Sequence, residues 1–286
     1  MKLHTKMMAL LVAGAMVFAT GCSSSSTEST TEETTTTEES TESTEGTEAT
    51  EEGTETSAAT LEEGKLLMST NATFPPYEYY DGETIVGIDA EIAAALAEKM
   101  GVELEIADME FESALAAVQT GQSDMVMAGV TVTEDRLENM DFTNSYATGV
   151  QVVIVPEDSD ITTIDDLEGK LIGVQQGTTG DIYCSDTPEN GGYGEENVQK
   201  FGSGPLAVEA LKNGQVDCVV IDNEPAKSYV EANEGLKILD TEFAVEDYAI
   251  GVAKGNTALL DELNAALDEL EADGTLQAIV DKYIHE

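Results

Sequence analysis

The chain has 286 residues, and its 58 acidic residues against 12 basic ones give a formal net charge of −46. Nucleic acids and anionic lipid surfaces would repel such a charge, so the composition argues against proteins that bind either of them. A hydrophobic content of 41% over this length is enough for the core of one large domain or two ordinary ones.

The N-terminal segment 1–21 predicts a signal peptide. Two lysines precede an apolar run over 7–18, which is too short to span a bilayer, and the segment is followed by a cysteine in 19-ATGC-22. This ending resembles the lipobox of bacterial lipoproteins, in which the peptide is cut before a cysteine whose thiol receives a diacylglyceryl group. The resemblance implies lipidation of Cys22 and a place on the outer side of the cell membrane. An ordinary secreted protein is the alternative, because Ala19 stands where the lipobox prefers leucine.

A low-complexity segment follows at 23–60, where nearly every position is Ser, Thr or Glu. It has too few apolar side chains to offset the entropy cost of ordering the chain. The composition therefore predicts that the stretch 22–63 forms a disordered, extended tether between the membrane and a folded part. An inert spacer is the alternative interpretation.

From Gly64 onward, short apolar strands alternate with helical patterns. The first half predicts an extended segment at 74–80, strands over 66–70, 102–107 and 124–129, and helices over 90–100, 112–120 and 134–140. Asp89 is predicted to cap the first of these helices, Gly101 to end it, and Thr133 to cap the third.

The second half repeats the alternation. It predicts strands over 151–155, 171–174, 198–201, 216–221 and 248–253, and helices over 205–213, 224–233, 257–273 and 275–284. Helices between short apolar strands indicate mainly parallel sheets that are covered on both faces. The length of the folded part suits two α/β lobes, each with a sheet of its own.

Cys184 and Cys218 are the two cysteines of the predicted folded part, and the sequence leaves their state open. A disulfide is permitted outside the cytoplasm, but both residues could equally be small buried side chains. The sequence contains no CxxC or HExxH spacing, and His4 and His285 lie outside any expected site. We therefore expect neither a metal ion nor another cofactor.

Arg136 is the only arginine of the chain. The predicted cap at Thr133 puts it in the first turn of a helix, just beyond the carboxyl end of a strand, where ligands bind in open α/β sheets. A guanidinium binds a planar carboxylate through two parallel hydrogen bonds, which lysine cannot reproduce. A surface salt bridge is the alternative, but lysine would serve that role and is used elsewhere in this chain. We therefore expect Arg136 to bind a ligand carboxylate.

Four segments resemble, in this order, the extracellular solute-binding proteins of polar-amino-acid ABC importers, known as family 3. They are 70-TNATFPPYEYYDGETIVGIDAEIAAALAEKMG-101, 128-AGVTVTEDRLENMDFTNSY-146, 172-IGVQQGTTGDIY-183 and 218-CVVIDNEPA-226. The resemblance extends over essentially all of the stretch 64–286. It implies a two-lobed, type II periplasmic-binding-protein-like fold with two hinge crossings. The first lobe would comprise 64–146 plus 249–286, and the second lobe would comprise 147–248.

The resemblance also implies roles for single residues. In that family an arginine of this motif binds the α-carboxylate of an amino acid, which is the role implied for Arg136. The backbone N–H of Thr131 would bind the same carboxylate, while its hydroxyl and the carbonyl of Gly129 would face the α-ammonium. Asp222, at the end of a second-lobe strand, would be the countercharge of the ammonium. This pairing suits a zwitterion, which needs one fixed cation and one fixed anion.

Further ligand contacts are implied in the same way. The loop 175-QQGTTG-180 would complete the carboxylate site with backbone N–H groups, and two aromatic residues would enclose the ligand side chain. These expected contacts are Thr178, Thr179, Gln175, Gln176, Phe74, Phe111 and Asn71. Glutamine binders and basic-amino-acid binders carry an aspartate at the position of Asn71, so the choice among glutamine, cystine, arginine, lysine and histidine stays open.

The implied function is capture of a polar L-amino acid between two closing lobes and delivery to the permease of an ABC importer. The protein would act as a monomer and would not be an enzyme. Two alternatives stay open, a cyclohexadienyl-dehydratase-like enzyme on the same fold and a ligand-sensing module. No catalytic residue is expected, because the enzyme would need a general acid beside the carboxylate site and the sequence offers no histidine there.

Overall fold

The computed structural model of the protein describes residues 60–285. The predicted signal peptide, Cys22 and most of the predicted tether lie outside this range. The last residues of the predicted tether already contact the folded part, because the N–H of Leu61 donates to the carboxylate of Asp124 at 2.6 Å. No helix within the range 60–285 combines the length and the apolar character that a membrane crossing requires.

Strands and helices alternate along the described chain. The strands are β1 (Lys65–Thr70), β2 (Thr73–Phe74), β3 (Glu78–Asp81), β4 (Thr84–Val86), β5 (Glu103–Asp108), β6 (Met125–Val126), β7 (Met140–Phe142), β8 (Ala147–Pro156), β9 (Ile172–Gln175), β10 (Val198–Phe201), β11 (Cys218–Asp222), β12 (Leu236–Ile238), β13 (Ala244–Tyr248) and β14 (Gly251–Ala253). The α-helices are α1 (Ile88–Met100), α2 (Phe111–Gln119), α3 (Glu134–Asn139), α4 (Thr179–Ser185), α5 (Gly204–Lys212), α6 (Asn223–Ala232), α7 (Thr257–Ala272) and α8 (Thr275–Tyr283).

Two main sheets form the centres of two lobes. The sheet of the first lobe has the order β5-β1-β6-β14-β7, and that of the second lobe has the order β10-β9-β11-β8-β12, with β13 also paired to β8. A small third sheet joins β2, β3 and β4. The chain passes from the first sheet to the second between β7 and β8, and returns between β13 and β14. The predicted two-lobed α/β fold with two crossings is confirmed.

Each main sheet is mixed, whereas the sequence predicted mainly parallel sheets. β1 runs parallel to β5 and β6, and β9 runs parallel to β10 and β11, as the βαβ pattern predicts. β14 is antiparallel to β6 and β7, and β8 is antiparallel to β11, β12 and β13. The two crossings explain the antiparallel pairing of β8 with β13. β8 carries the chain away from the first lobe and β13 carries it back, so these two neighbouring strands run in opposite directions.

The predicted helices are all present, with ends displaced by at most two residues. Gly101 ends α1 in the left-handed conformation, with φ of 70°, and Thr133 caps α3 by accepting the N–H of Arg136. Asp89, however, is not the cap of α1. The helix begins at Ile88, two residues before the predicted start, and Asp89 lies buried inside its first turn, where its carboxylate accepts the N–H of Gly129 at 3.0 Å.

The predicted strand over 248–253 is divided in two. Its first residue ends β13 in the second lobe and its last residues form β14 in the first, because the chain crosses between the lobes in this segment. The strand predicted over 124–129 is shorter in the structure, where β6 covers Met125–Val126. Gly129 cannot belong to a strand, because its φ of 56° is not an extended conformation. The extended segment at 74–80 contributes to the β2–β3 hairpin.

Cys184 and Cys218 are free thiols. Both are fully buried in an apolar cluster of the second lobe, together with residues such as Ile172 and Val220. Burial raises the pKa of the Cys218 thiol to about 12. The sequence left open whether these cysteines form a disulfide or are small buried side chains, and the structure shows the second.

Candidate functional site

A narrow cavity lies between the two lobes. Its walls include residues at or just after the carboxyl ends of β1, β6, β9 and β11, the edge at which ligands bind in open α/β sheets. The lining residues are Asn71, Phe74, Glu78, Phe111, Ala128, Gly129, Thr131, Arg136, Gln175, Thr178, Thr179 and Asp222. The enclosed volume is about 10 Å³, which is room for one water molecule. A ligand larger than water can therefore enter only if the lobes move apart.

Arg136 brings a buried positive charge into this cavity. Its Nη1 donates to the carbonyl of Thr131 at 2.7 Å and its Nη2 to the carbonyl of Gly177 at 3.1 Å, while the guanidinium carbon lies 5.4 Å from the ring centroid of Phe111. No carboxylate among the described residues forms an ion pair with it. Burial lowers the pKa of Arg136 to about 10, so the side chain stays charged at neutral pH. A buried guanidinium without an ion-pair partner among the described residues has the charge and the parallel N–H donors that can bind a carboxylate.

Asp222 brings a carboxyl group into the cavity from the second lobe. It accepts a hydrogen bond from Nε2 of Gln151 at 2.8 Å and another from the hydroxyl of Tyr248. Burial, reinforced by the charge of Glu246, raises the pKa of Asp222 to about 8. An ammonium group at this position would favour the ionised carboxylate.

Glu246 lies behind the cavity wall and joins groups from both lobes. Its Oε2 accepts from the hydroxyl of Thr131 (3.0 Å), the hydroxyl of Thr179 (2.9 Å) and Nε2 of Gln151 (3.1 Å). The hydroxyl proton of Thr131 is therefore turned away from the ligand side, which leaves the oxygen to accept a hydrogen bond.

Direct hydrogen bonds hold the two lobes together around the cavity. Nε2 of Gln175 donates to Oδ1 of Asn71 at 2.9 Å, and the hydroxyl of Tyr229 donates to the carbonyl of Thr73 at 2.6 Å. The bond from Arg136 to the second-lobe loop is a third contact of this kind. The structure is thus a closed arrangement of the lobes.

Comparison with known proteins decides the family. Residues 66–286 match the family described as bacterial extracellular solute-binding proteins, family 3. The chain belongs to this family. A curated relative of this family 3 protein is the arginine-binding extracellular protein ArtP of Bacillus subtilis, which is 32% identical over 81% of the chain and 90% of ArtP.

Two solved structures extend the comparison. The substrate-binding protein of an amino acid ABC transporter is 38% identical with a TM-score of 0.72, over 78% of this chain and 100% of that one. An ancestral arginine-binding protein bound to glutamine is 39% identical with a TM-score of 0.73, over 79% and 100% of the two chains. These proteins are named as binding proteins rather than enzymes, which confirms the prediction that the family 3 protein is not an enzyme.

The structure brings together nearly all of the residues that the sequence singled out. Every predicted ligand contact except one lines the cavity. The exception is Gln176, which is exposed and donates instead to Glu112 of the first lobe, at 2.5 Å. It follows the end of β9, so its side chain points away from that of its buried neighbour Gln175. The N–H of Thr178 is also engaged, since it donates to the carbonyl of Gln175 at 3.3 Å.

Sequence reasoning missed several residues of the site. Glu78 and Ala128 line the cavity, while Glu246, Gln151 and Tyr248 bind or orient the lining residues. A signal for Glu78 was present, because it is an acidic residue between aromatic residues in a segment that begins with Phe74. No comparable signal marks Glu246 among so many acidic residues.

Proposed function

We propose that this family 3 protein binds a free L-amino acid between its lobes and delivers it to the permease of an ABC importer. One observation carries the proposal. A buried guanidinium without a protein carboxylate, that of Arg136, lines the same closed cavity as the buried carboxyl of Asp222. One fixed cation and one fixed anion in a cavity that excludes water suit an amino-acid zwitterion, since both ion pairs are stronger there than in water. The names of the relatives, arginine-binding and amino acid ABC transporter proteins, support it.

The lining residues divide between the two ends of the zwitterion. Arg136, with the backbone at Thr131 and Thr179, would bind the α-carboxylate. Asp222 would bind the α-ammonium, together with the carbonyl of Gly129 and the hydroxyl oxygen of Thr131. Phe74 and Phe111 would enclose the ligand side chain with apolar surface.

Closure of the lobes is the proposed mechanism of capture. We infer that the first lobe comprises 64–146 plus 249–286 and that the second lobe comprises 147–248, a division that the membership of the two sheets supports. The hinge would lie near 145–151 and 243–249, where the chain crosses. A ligand would first bind Arg136 in the open form and then contact Asp222. The second contact would shift the equilibrium between open and closed forms toward the closed form.

The N-terminal segment completes the proposal. Lipidation of Cys22 would anchor the protein to the outer face of the membrane, and the Ser/Thr/Glu tether would let one binding unit, acting as a monomer, reach the permease. The lipobox-like 19-ATGC-22 and the composition of the segment 23–60 support this arrangement.

A thermal-shift screen of the purified full-length chain tests the proposed function. The protein is unfolded and refolded to remove carried-over ligand and is then heated with each common L-amino acid. A ligand at a hundredfold excess over its Kd should stabilise the folded form by about 2.7 kcal/mol. The decarboxylated and the N-acetylated analogues of the best ligand should give no shift, because each lacks one of the two charges. Folded protein that responds to no amino acid would contradict the proposal.

A further inference from the structure

Glu246 is a buried residue of β13 that does not line the cavity itself. Its Oε2 accepts three hydrogen bonds, from the hydroxyl groups of Thr131 and Thr179 and from Nε2 of Gln151. These donors belong to three segments that are far apart in the sequence. A buried carboxylate that binds donors from three segments holds those segments in one arrangement.

The position of Glu246 on its strand makes this arrangement sensitive to the state of the lobes. Glu246 pairs with Gly149 of β8 in the second lobe, whereas Tyr248, two residues later, also forms a bridge with Thr131 of the first lobe. The carboxylate therefore lies where the crossing strand begins to pair with the other lobe. Movement of the lobes about this crossing is expected to separate Thr131 from Thr179, so all three hydrogen bonds form together only in the closed form.

The hydrogen bonds to Glu246 fix the direction of two hydroxyl groups. A threonine hydroxyl has one proton, and Thr131 and Thr179 both donate it to Glu246. Each hydroxyl oxygen can then only accept a hydrogen bond from a ligand. An ammonium group has three donors and no acceptor, so this orientation suits the α-ammonium that is expected beside Thr131.

Gln151 extends the same contact to Asp222. Its side chain is buried, and its Nε2 lies 2.8 Å from Oδ2 of Asp222 and 3.1 Å from Oε2 of Glu246. An amide NH2 group has two N–H donors, so it can hold both carboxyl groups at once. Glu246 therefore acts on the expected ammonium site in two ways, through the hydroxyl of Thr131 and through Gln151.

The charge of Glu246 acts on both ionisable groups of the cavity. Burial, reinforced by this charge, raises the pKa of Asp222 to about 8, although Gln151 and Arg136 oppose the rise. Burial lowers the pKa of Arg136 to about 10, and Glu246 is the carboxylate that opposes this fall most strongly. The other ionisable groups that face Glu246 or Asp222 are Tyr77, Glu78, Tyr183, Glu224, Tyr229 and Tyr248. Glu246 thus favours the charged form of the guanidinium and the protonated form of Asp222 until an ammonium arrives.

We propose that Glu246 is a positioning residue of the amino-acid site, which orients the groups that bind the ligand backbone without touching the ligand. The inference rests on the proposed function, in which Arg136 and Asp222 bind the two charges of that backbone. Since Glu246 acts through groups that every amino acid would contact, it governs the strength and the pH dependence of binding rather than the choice of ligand side chain.

Isothermal titration calorimetry of the full-length chain tests this role with the variant Glu246→Gln, which keeps an acceptor oxygen and removes the charge. The ligands are arginine, citrulline, which has the same length but a neutral side chain, and any other L-amino acid that the thermal-shift screen identifies. At about pH 9 Asp222 is largely ionised in both proteins. The variant should there bind every ligand at least about fivefold more weakly, and by about the same factor.

The loss in Glu246→Gln should shrink as the pH falls. Below about pH 8 the unaltered protein must release the proton of Asp222 to bind an ammonium, so its affinity falls with the pH. This cost is smaller in the variant, which lacks a charge that raises the pKa of Asp222. The ratio of the two Kd values should therefore be at least about threefold smaller at about pH 6 than at about pH 9, and titration of the ligand cancels in this ratio. At about pH 7 the unaltered protein should release nearly one proton on binding, and the variant should release less.

Asp247→Asn is the matched control for the loss of charge. It removes one negative charge from the next position of β13, where the side chain is exposed, and should leave the Kd, its pH dependence and the proton release unchanged. An unchanged Kd of folded Glu246→Gln at about pH 9, or a ratio of Kd values that is the same at every pH, would overturn the positioning role. Failure of the unaltered protein to bind any L-amino acid would instead count against the proposed function.

Thr179 provides a second test, which does not require Glu246→Gln to fold. Thr179→Val keeps the shape of the side chain but removes one of the three donors to Glu246, so it should weaken every ligand at least about threefold. Thr179→Ser retains the hydroxyl and should bind within about twofold of the unaltered protein. Equal affinities of these two variants would show that the hydrogen bond to Glu246 does not position the site.

Discussion

Two ionisable residues without an ion-pair partner among the described residues characterise this cavity. The guanidinium of Arg136 has backbone carbonyls and an aromatic ring around it but no carboxylate partner among the described residues. Asp222 faces the cavity without a cation of its own. A buried, unpaired charge destabilises a protein; under the proposed function the α-carboxylate of the ligand would pair with Arg136, and its α-ammonium would favour the ionised form of Asp222.

Replacement of Arg136 by lysine is expected to remove most of the affinity for any α-amino acid. An ammonium cannot reach both carbonyl groups and present two parallel donors to a carboxylate, and the loss should be at least about 2 kcal/mol, or roughly 30-fold in Kd. Calorimetry with the best ligand of the screen measures it, and circular dichroism checks the fold. Lys99→Arg, the reverse exchange at an ion pair on the surface of α1, should bind normally. Unchanged affinity in folded Arg136→Lys would refute the carboxylate assignment.

Residues of the site differ in how far the sequence could reveal them. Arg136 could be found because it is unique, and its motif placed it after a strand. Glu246 could not, because its importance comes from bonds to Thr131, Gln151 and Thr179, three segments that meet only in the folded protein. A chain with 58 acidic residues gives no compositional reason to prefer one of them.

At the scale of elements, the paired strands β8 and β13 connect the two interlobe crossings with residues of the candidate site. The register places Ala147 opposite Tyr248 and Gly149 opposite Glu246, so a strand of each crossing carries groups that reach the cavity wall. The sequence predicted the apolar centre of β8 but did not predict β13. β13 is short and its residues alternate between buried and exposed positions, so its sequence carries only a weak strand pattern. Strand pairing over such a distance in sequence is set by tertiary contacts rather than by local propensity.

Gly149→Ala is expected to disturb this strand pair. A Cβ at this position would lie 2.2 Å from the hydroxyl oxygen of Tyr248 and 2.3 Å from its ring carbon, so the ring, which is fully buried and hydrogen-bonded to Asp222, would have to shift. Overpacking of this kind costs about 1 to 3 kcal/mol of stability. Chemical denaturation measures the loss.

Gly173→Ala is the control for this strand substitution. The nearest atoms to its added Cβ are side-chain methyl groups of Val216 and Val219 at 3.2 Å, so a smaller loss is expected. An equal or greater stability of Gly149→Ala compared with Gly173→Ala would show that the packing of Tyr248 against β8 does not constrain the crossing.

At the scale of the whole molecule, binding depends on the balance between open and closed forms. The closed cavity holds about 10 Å³, so ligand entry requires opening, while the ion pairs proposed above form only on closure. The lobes meet through a small number of polar contacts around the cavity, of which the bond from Tyr229 to Thr73 lies outside the lining residues. Such a contact favours the closed form equally for every ligand.

Tyr229→Phe is therefore expected to weaken all ligands by one common factor. Loss of a hydrogen bond worth about 0.5 to 1.5 kcal/mol in the closed form raises every apparent Kd by roughly 2- to 10-fold, because the closed form is less populated. Calorimetry with arginine and with citrulline measures the factor, and small-angle scattering of the ligand-free protein should show a larger radius of gyration. Tyr80→Phe is the matched control, since its hydroxyl bonds Asp108 within the first lobe. A loss confined to one ligand would mean that Tyr229 acts on the ligand side chain, and no loss at all would mean that this bond does not contribute to closure.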